Sequence, residues 1–95
     1  MSRLAFPPRR YTSGVTIKVL YFASFREKTG RDEERRQVAD GARVGDVWSD
    51  LVREVPHFAA FPKMPPAAVN LEYAEADRPL REGDELAFLP PVAGG

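Results

Sequence analysis

The chain has 95 residues, enough for one domain and close to the lower limit for a core that holds without staples. It contains no cysteine, which excludes disulfides, thiolate nucleophiles and cysteine-ligated zinc or iron–sulfur centres, and with a single histidine a metal site would have to be built of carboxylates. Fourteen basic residues balance fourteen acidic ones, so neither nucleic acid nor an anionic membrane is the expected main partner, since both demand a basic surplus.

No segment has the length of a membrane span and the N-terminus lacks the apolar centre of a signal peptide, so a cytoplasmic protein is expected. Residues 1–14, MSRLAFPPRRYTSG, carry three arginines and two adjacent prolines without periodicity, and are expected to be a loose extension before a domain spanning 15–95. Residues 15–23 (VTIKVLYFA) are β-branched and aromatic and have strand length. On one parity Ile17, Val19 and Tyr21 can face a core. On the other, Lys18, Leu20 and Phe22 grow more apolar toward the strand's end. Gly30 is expected to close a loop, and residues 33–39 (EERRQVA) form a weaker, polar strand ended by Asp40-Gly41, so the two strands suggest a hairpin.

One helix is clear. Val44, Val47, Trp48, Leu51, Val52 and Val55 recur at helical spacing as a single apolar stripe, with Asp46 and Asp50 early, Arg53 late and Pro56 as a stop. A one-sided stripe must lie on something flat, and the sheet is the candidate. The four prolines in residues 56–66 (PHFAAFPKMPP) predict an irregular loop with apolar plugs. Residues 67–73 (AAVNLEY) predict a strand, 78–84 a tight turn and 85–89 (ELAFL) the last strand. A hairpin, a crossover helix and returning strands pack as one mixed sheet with the helix on one face. The expected fold is therefore α+β, a β-grasp or ubiquitin-like roll, with the first and last strands adjacent at its centre.

Conventional catalytic residues are scarce. His57 lies alone in the proline-rich loop and has no constellation around it. The mixed charges from Glu27 to Arg36 have the pattern of a solvated, self-paired surface. Ser24, Thr29 and Ser49 have no adjacent base, and no glycine-rich phosphate loop is present. The unusual feature is the last six residues, PPVAGG. A terminal carboxylate, with an ordinary pKa of about 3.3–3.7, is ionised and a poor electrophile until ATP converts it to an acyl adenylate. Glycine lacks a Cβ, so Gly94-Gly95 can thread a narrow channel, while Pro90 and Pro91 keep the approach extended. Such a terminus is suited to being handed between enzymes.

The residues FASFREKTG (22–30), AVN (68–70), PLREGDELAF (79–88) and the closing PPVAGG, in that order, resemble the small subunit of molybdopterin synthase, and the resemblance covers about 15–95. It implies a sulfur carrier in molybdenum cofactor biosynthesis. In that family a ubiquitin-activating-like adenylyltransferase uses ATP to adenylate the terminal glycine, here Gly95, with Gly94 giving passage. A sulfur donor protein then makes the thiocarboxylate. Its sulfur passes to cyclic pyranopterin monophosphate in the large subunit, which holds the catalytic groups, within a heterotetramer of two small and two large subunits. The chain is thus expected to be a sulfur-donating co-substrate rather than an enzyme by itself, with no bound cofactor and no metal.

Strand alternation supplies a docking surface. If Ile17, Val19 and Tyr21 face the helix, then Leu20 and Phe22 lie on the open face, with Ala87 and Leu89 pointing out beside them while Leu86 and Phe88 point in. Leu20, Phe22 and Leu89, continuing into Pro90, Pro91 and Val92, are the expected partner contacts. The opposing possibility is that loop 56–66 folds over this face and makes it core. Arg43 stands where many family members have a Ser or Thr helix cap. A thiamine-pathway sulfur carrier and a ubiquitin-like protein modifier share the fold, tail and activation and remain alternatives.

Overall fold

The computed structural model describes residues 14–89, so the expectations for residues 1–13 and for Pro90, Pro91, Val92, Gly94 and Gly95 lie outside it. Five strands form one mixed sheet: β1 (Val15–Tyr21), β2 (Glu33–Val38), β3 (Ala67–Val69), β4 (Glu72–Ala74) and β5 (Glu85–Phe88). Their order is β2-β1-β5-β3-β4, with β1 and β5 parallel at the centre and the other pairs antiparallel. This is the β-grasp arrangement that the order of elements predicts.

A helix crosses one face. It is α2 (Val44–Glu54), and its stripe of Val44, Val47, Trp48 and Leu51 is buried against the sheet residues Ile17, Val19, Leu86 and Phe88 in one core. Arg43 gives the helix no side-chain cap. The first turn is satisfied otherwise: Asp46 Oδ2 accepts the Arg43 N–H at 2.9 Å, while the carbonyls of Ala76 and Arg78 accept the N–H groups of Gly45 and Val44 at 2.8 and 3.0 Å. A neighbouring loop thus does the work of a Ser or Thr cap.

Three local expectations are corrected. The segment joining β1 to β2 is not a plain loop but a short helix, α1 (Ala23–Thr29), so the pair is antiparallel without being a simple hairpin. Gly30 ends that helix at φ +78°, donating its N–H to the Arg26 carbonyl. The proline-rich loop opens with a 3-10 helix, Pro56–Ala60, begun by Pro56 whose missing N–H costs nothing there. Residues 67–74 are two strands, β3 and β4, joined by a tight turn at Asn70 and Leu71 whose φ values are +51° and +74°.

These additions build an aromatic cluster at one end of the core. The Phe25 ring from α1 meets Phe58 edge-on at 5.0 Å, Trp48 stacks on Phe58 at 5.2 Å, and Phe88 lies 5.2 Å from Trp48. Phe61, next along the loop, closes on Phe25 at 5.5 Å and on Trp48 at 5.8 Å. The loop's apolar plugs therefore fill the helix side of the sheet. They do not cover the other side.

Candidate functional site: an open apolar sheet face

The outer face of the sheet follows from register. Leu20 lies opposite Ala87, Ala87 opposite Ala68, and Ala68 opposite Tyr73, and residues opposite one another share a face. Phe22 and Leu89 extend the same parity beyond the ends of β1 and β5. Together with Leu71 they line a trough of about 350 Å³, bounded on one side by Glu85. Leu20 and Leu89 are half-buried and Phe22 is 45% exposed, as strand alternation predicts for all three. Ala87 also lines the trough, although its neighbours leave only 8% of it exposed.

Two residues of this face do not follow from strand alternation. Leu71 and Tyr73 are 93% and 83% exposed, the largest exposures of any big apolar side chain described. Leu71 also occupies left-handed backbone, which disfavours a leucine by roughly 1–2 kcal/mol. Asn70 holds the turn in place: its Oδ1 accepts the Glu85 N–H at 3.0 Å and its Nδ2 donates to Asp84 Oδ1 at 2.9 Å. Its backbone N–H also donates to the Glu85 carbonyl at 2.8 Å. An asparagine suits this position because it tolerates left-handed backbone and bridges two strands at once. The turn therefore presents Leu71 from a rigid base.

The path to the terminus starts on this face. The Leu89 N–H donates to the Pro66 carbonyl at 2.8 Å, which fixes the end of β5 at the trough's edge, six residues before Gly95.

The opposite side of the sheet carries a polar cluster. The Tyr21 hydroxyl donates to Glu34 Oε2 at 2.6 Å, and Arg36 donates from Nε and Nη2 to the same oxygen at 3.0 and 2.9 Å. Arg36 also grips Glu54 of α2 through Nη1 at 2.9 Å and Nη2 at 2.6 Å, and Arg31 donates to Glu34 Oε1 at 2.8 Å. Glu34 and Arg36 have side chains only 14% and 16% exposed, so this part of the charged stretch is not the solvated surface its pattern suggests. Burial and then the hydrogen bond to Glu34 push the Tyr21 hydroxyl above its ordinary pKa. Burial opposes the Glu34 carboxylate, but Tyr21, Arg36 and Arg31 outweigh it and hold that group below the usual glutamate value. Its Glu54 bonds lead in keeping the Arg36 guanidinium protonated, against a smaller opposing effect of burial. Every strong acceptor and donor here is engaged, so the cluster clamps β2 to α2 rather than awaiting a substrate. His57 lines the same hollow, is exposed, and makes no side-chain hydrogen bond among the described residues.

Among the described residues no helix is long and apolar enough to cross a membrane. Comparison with known proteins converges on one group. The ThiS family model matches residues 19–95. A Chlamydomonas reinhardtii molybdopterin synthase sulfur carrier subunit is 37% identical over 81 residues, 83% of this chain and 98% of that relative. The solved structure of a Pyrococcus furiosus molybdopterin converting factor subunit 1 superposes with a TM-score of 0.72 at 32% identity, covering 82% of this chain and 99% of that one. Small archaeal modifier protein 1 of Haloferax volcanii gives a TM-score of 0.71 at 28% identity, over 82% and 99% of the two chains.

Proposed function

This chain belongs to the ThiS family, and from that membership we propose that it is the sulfur carrier subunit of a molybdopterin synthase. The observation that carries the reading is spatial: the last strand ends at Phe88, and the next residue, Leu89, lines an open apolar face six residues before Gly95, the second glycine of a Gly-Gly terminus. The face docks on the large subunit through Leu20, Phe22, Leu71, Tyr73 and Leu89. The tail then reaches from that interface into the partner's active site.

The chemistry resides in Gly95. A carboxylate oxygen of Gly95 attacks the α-phosphorus of ATP in an activating enzyme, pyrophosphate leaves, and an acyl adenylate forms. A donor delivering sulfur at the oxidation level of sulfide attacks the carbonyl carbon, AMP leaves with the adenylated oxygen, and the terminus becomes a thiocarboxylate. In the large subunit the thiocarboxylate sulfur bonds to a carbon of the pterin precursor as an oxygen leaving group departs, and water then cleaves the acyl C–S bond of the resulting thioester, leaving the sulfur on the pterin and a carboxylate on Gly95. Gly94 and Gly95 lack a Cβ, which suits a thread that must enter both sites, and Pro90 and Pro91 restrict φ ahead of it. The carrier contributes one atom per cycle and the large subunit positions the acceptor, so no turnover is assigned to this chain alone.

Removal of Gly95 tests the proposal. The shortened chain keeps its fold and its affinity for the large subunit but transfers no sulfur. Transfer by a chain ending at Gly94 contradicts it. A second role as a protein modifier is favoured by the structural likeness to the small archaeal modifier protein, since the same acyl adenylate can also be attacked by a lysine amine. Mass-spectrometric detection of isopeptide-linked Gly95 on target proteins tests that role.

A further inference from the structure

We propose that Asn70 and Asp84 are positioning residues for docking: the hydrogen bond between their side chains fixes the direction in which the β3–β4 turn offers Leu71 to the partner. The two residues belong to the segments AVN and PLREGDELAF, neither of which has a part in the chemistry at Gly95. The fold brings them together across fourteen positions of sequence, with Asn70 Nδ2 donating to Asp84 Oδ1 at 2.9 Å. Asp84 is tied into the middle of the sheet. Its other carboxylate oxygen accepts the Arg81 N–H at 2.8 Å, and its carbonyl accepts the Lys18 N–H of β1 at 2.9 Å. Asn70 opens the turn between β3 and β4, and its Oδ1 accepts the Glu85 N–H at 3.0 Å where β5 begins. The pair therefore joins an edge turn to the two central strands.

The turn needs such a hold. Asn70 and Leu71 both occupy left-handed backbone, at φ +51° and +74°, and neither is glycine. Conformations of this kind persist only where surrounding contacts over-determine them. Leu71 supplies no such contact itself, because its side chain is 93% exposed. Strand pairing does not supply it either, since the β3–β4 register closes at Val69 and Glu72, on either side of the turn. What remains is Asn70: its backbone N–H donates to the Glu85 carbonyl at 2.8 Å, and its side chain makes the two bonds to Glu85 and Asp84. An apolar side chain that packs on nothing points where its backbone points. Here the Asn70–Asp84 contact sets that direction, toward the trough that Leu71 lines.

That the contact serves docking on the large subunit rests on the carrier reading; that it orders the turn does not. The test exchanges the two side chains in the full chain. Asn70→Asp alone removes the donor and sets two carboxylates against each other. Asn70→Asp combined with Asp84→Asn restores every bond in reverse: residue 84 donates its amide to residue 70, and its remaining oxygen still accepts the Arg81 N–H. Both residue types tolerate left-handed backbone. Nitrogen-15 relaxation reads the turn without any partner. The Leu71 amide should be as ordered as those of β5 in the parent, mobile on the nanosecond scale in Asn70→Asp, and ordered again in the exchanged pair. Sulfur transfer to the large subunit reads the docking. The KM for the carrier should rise about ten-fold in Asn70→Asp, as when the binding-competent turn falls to about a tenth of the population, with kcat unchanged and KM recovered by the exchange. A Leu71 amide mobile in the parent, one indifferent to Asn70→Asp, or an exchanged pair that stays defective overturns the proposal. A mobile turn with unchanged KM, or a fall in kcat alone, overturns its docking role. Failure of the parent chain to load sulfur on Gly95 contradicts the carrier assignment and leaves the relaxation result to decide the turn.

Discussion

The two faces of the central strands carry similar side chains and treat them in opposite ways. On the inner face Ile17, Val19, Leu86 and Phe88 are sealed beneath α2 and the aromatic cluster of Phe25, Trp48 and Phe58. On the outer face Leu20, Phe22, Leu71, Tyr73 and Leu89 meet solvent in a single trough. Full burial of such a side chain contributes about 1.5–3 kcal/mol, a stabilisation the outer residues largely forgo. Contiguous exposed apolar surface of this kind often marks an interaction site. Burial is concentrated on one face and exposed apolar surface on the other, and Leu89, the residue after the last strand, lies on the second.

Substitutions can break or sharpen this contrast. The largest effect belongs to the inner face: Trp48→Ala opens a void among Phe25, Phe58 and Phe88 and should destabilise the fold by about 3–5 kcal/mol in denaturant titration. Phe22→Glu should change stability by less than about 1 kcal/mol yet weaken association with the large subunit by at least about 2 kcal/mol, roughly thirty-fold by calorimetry. If it unfolds the domain instead, the outer face is core and the contrast fails. Next is the polar clamp, where Tyr21→Phe removes a hydrogen bond to a charged group and should lower stability by about 1.5 kcal/mol without touching docking.

The clamp also has a pH signature. Glu34 titrates below its unfolded value, so its contribution is fully present above the ordinary glutamate pKa and is lost as pH falls through the lower folded one. Acid unfolding followed by circular dichroism should be measurably shallower in Glu34→Gln than in the parent. The smallest effect is the most diagnostic of division of labour. Leu71→Gly relieves left-handed strain and should raise stability by roughly 0.5–1 kcal/mol while weakening docking, opposite signs from one residue.

Strand alternation was enough to separate Ile17, Val19 and Tyr21 from Leu20 and Phe22, because register in a half-buried sheet leaves no freedom of parity. The main helix was equally plain from its six-residue stripe. Helix α1 was not, since seven residues that bury only Phe25 make no periodic signal, and Gly30 was its one visible marker. The turn at Asn70 and Leu71 lacks the glycine that usually announces positive φ, so β3 and β4 look like one strand and Leu71 and Tyr73 drop out of the expected face. The clamp was hidden because Glu54 lies eighteen residues from Arg36 in sequence, and a local charge pattern cannot name so distant a partner. Gly95 was legible only as chemistry: nothing in a folded core encodes what a carboxyl terminus will carry.

The most direct test of the central claim is the intact mass of the full chain after incubation with ATP, an activating enzyme and a sulfur donor, with fragmentation to locate any change. Replacement of one oxygen by sulfur at the Gly95 carboxylate is the predicted result. An unchanged terminus, in the presence of an activating enzyme shown to be competent on another carrier, would contradict it.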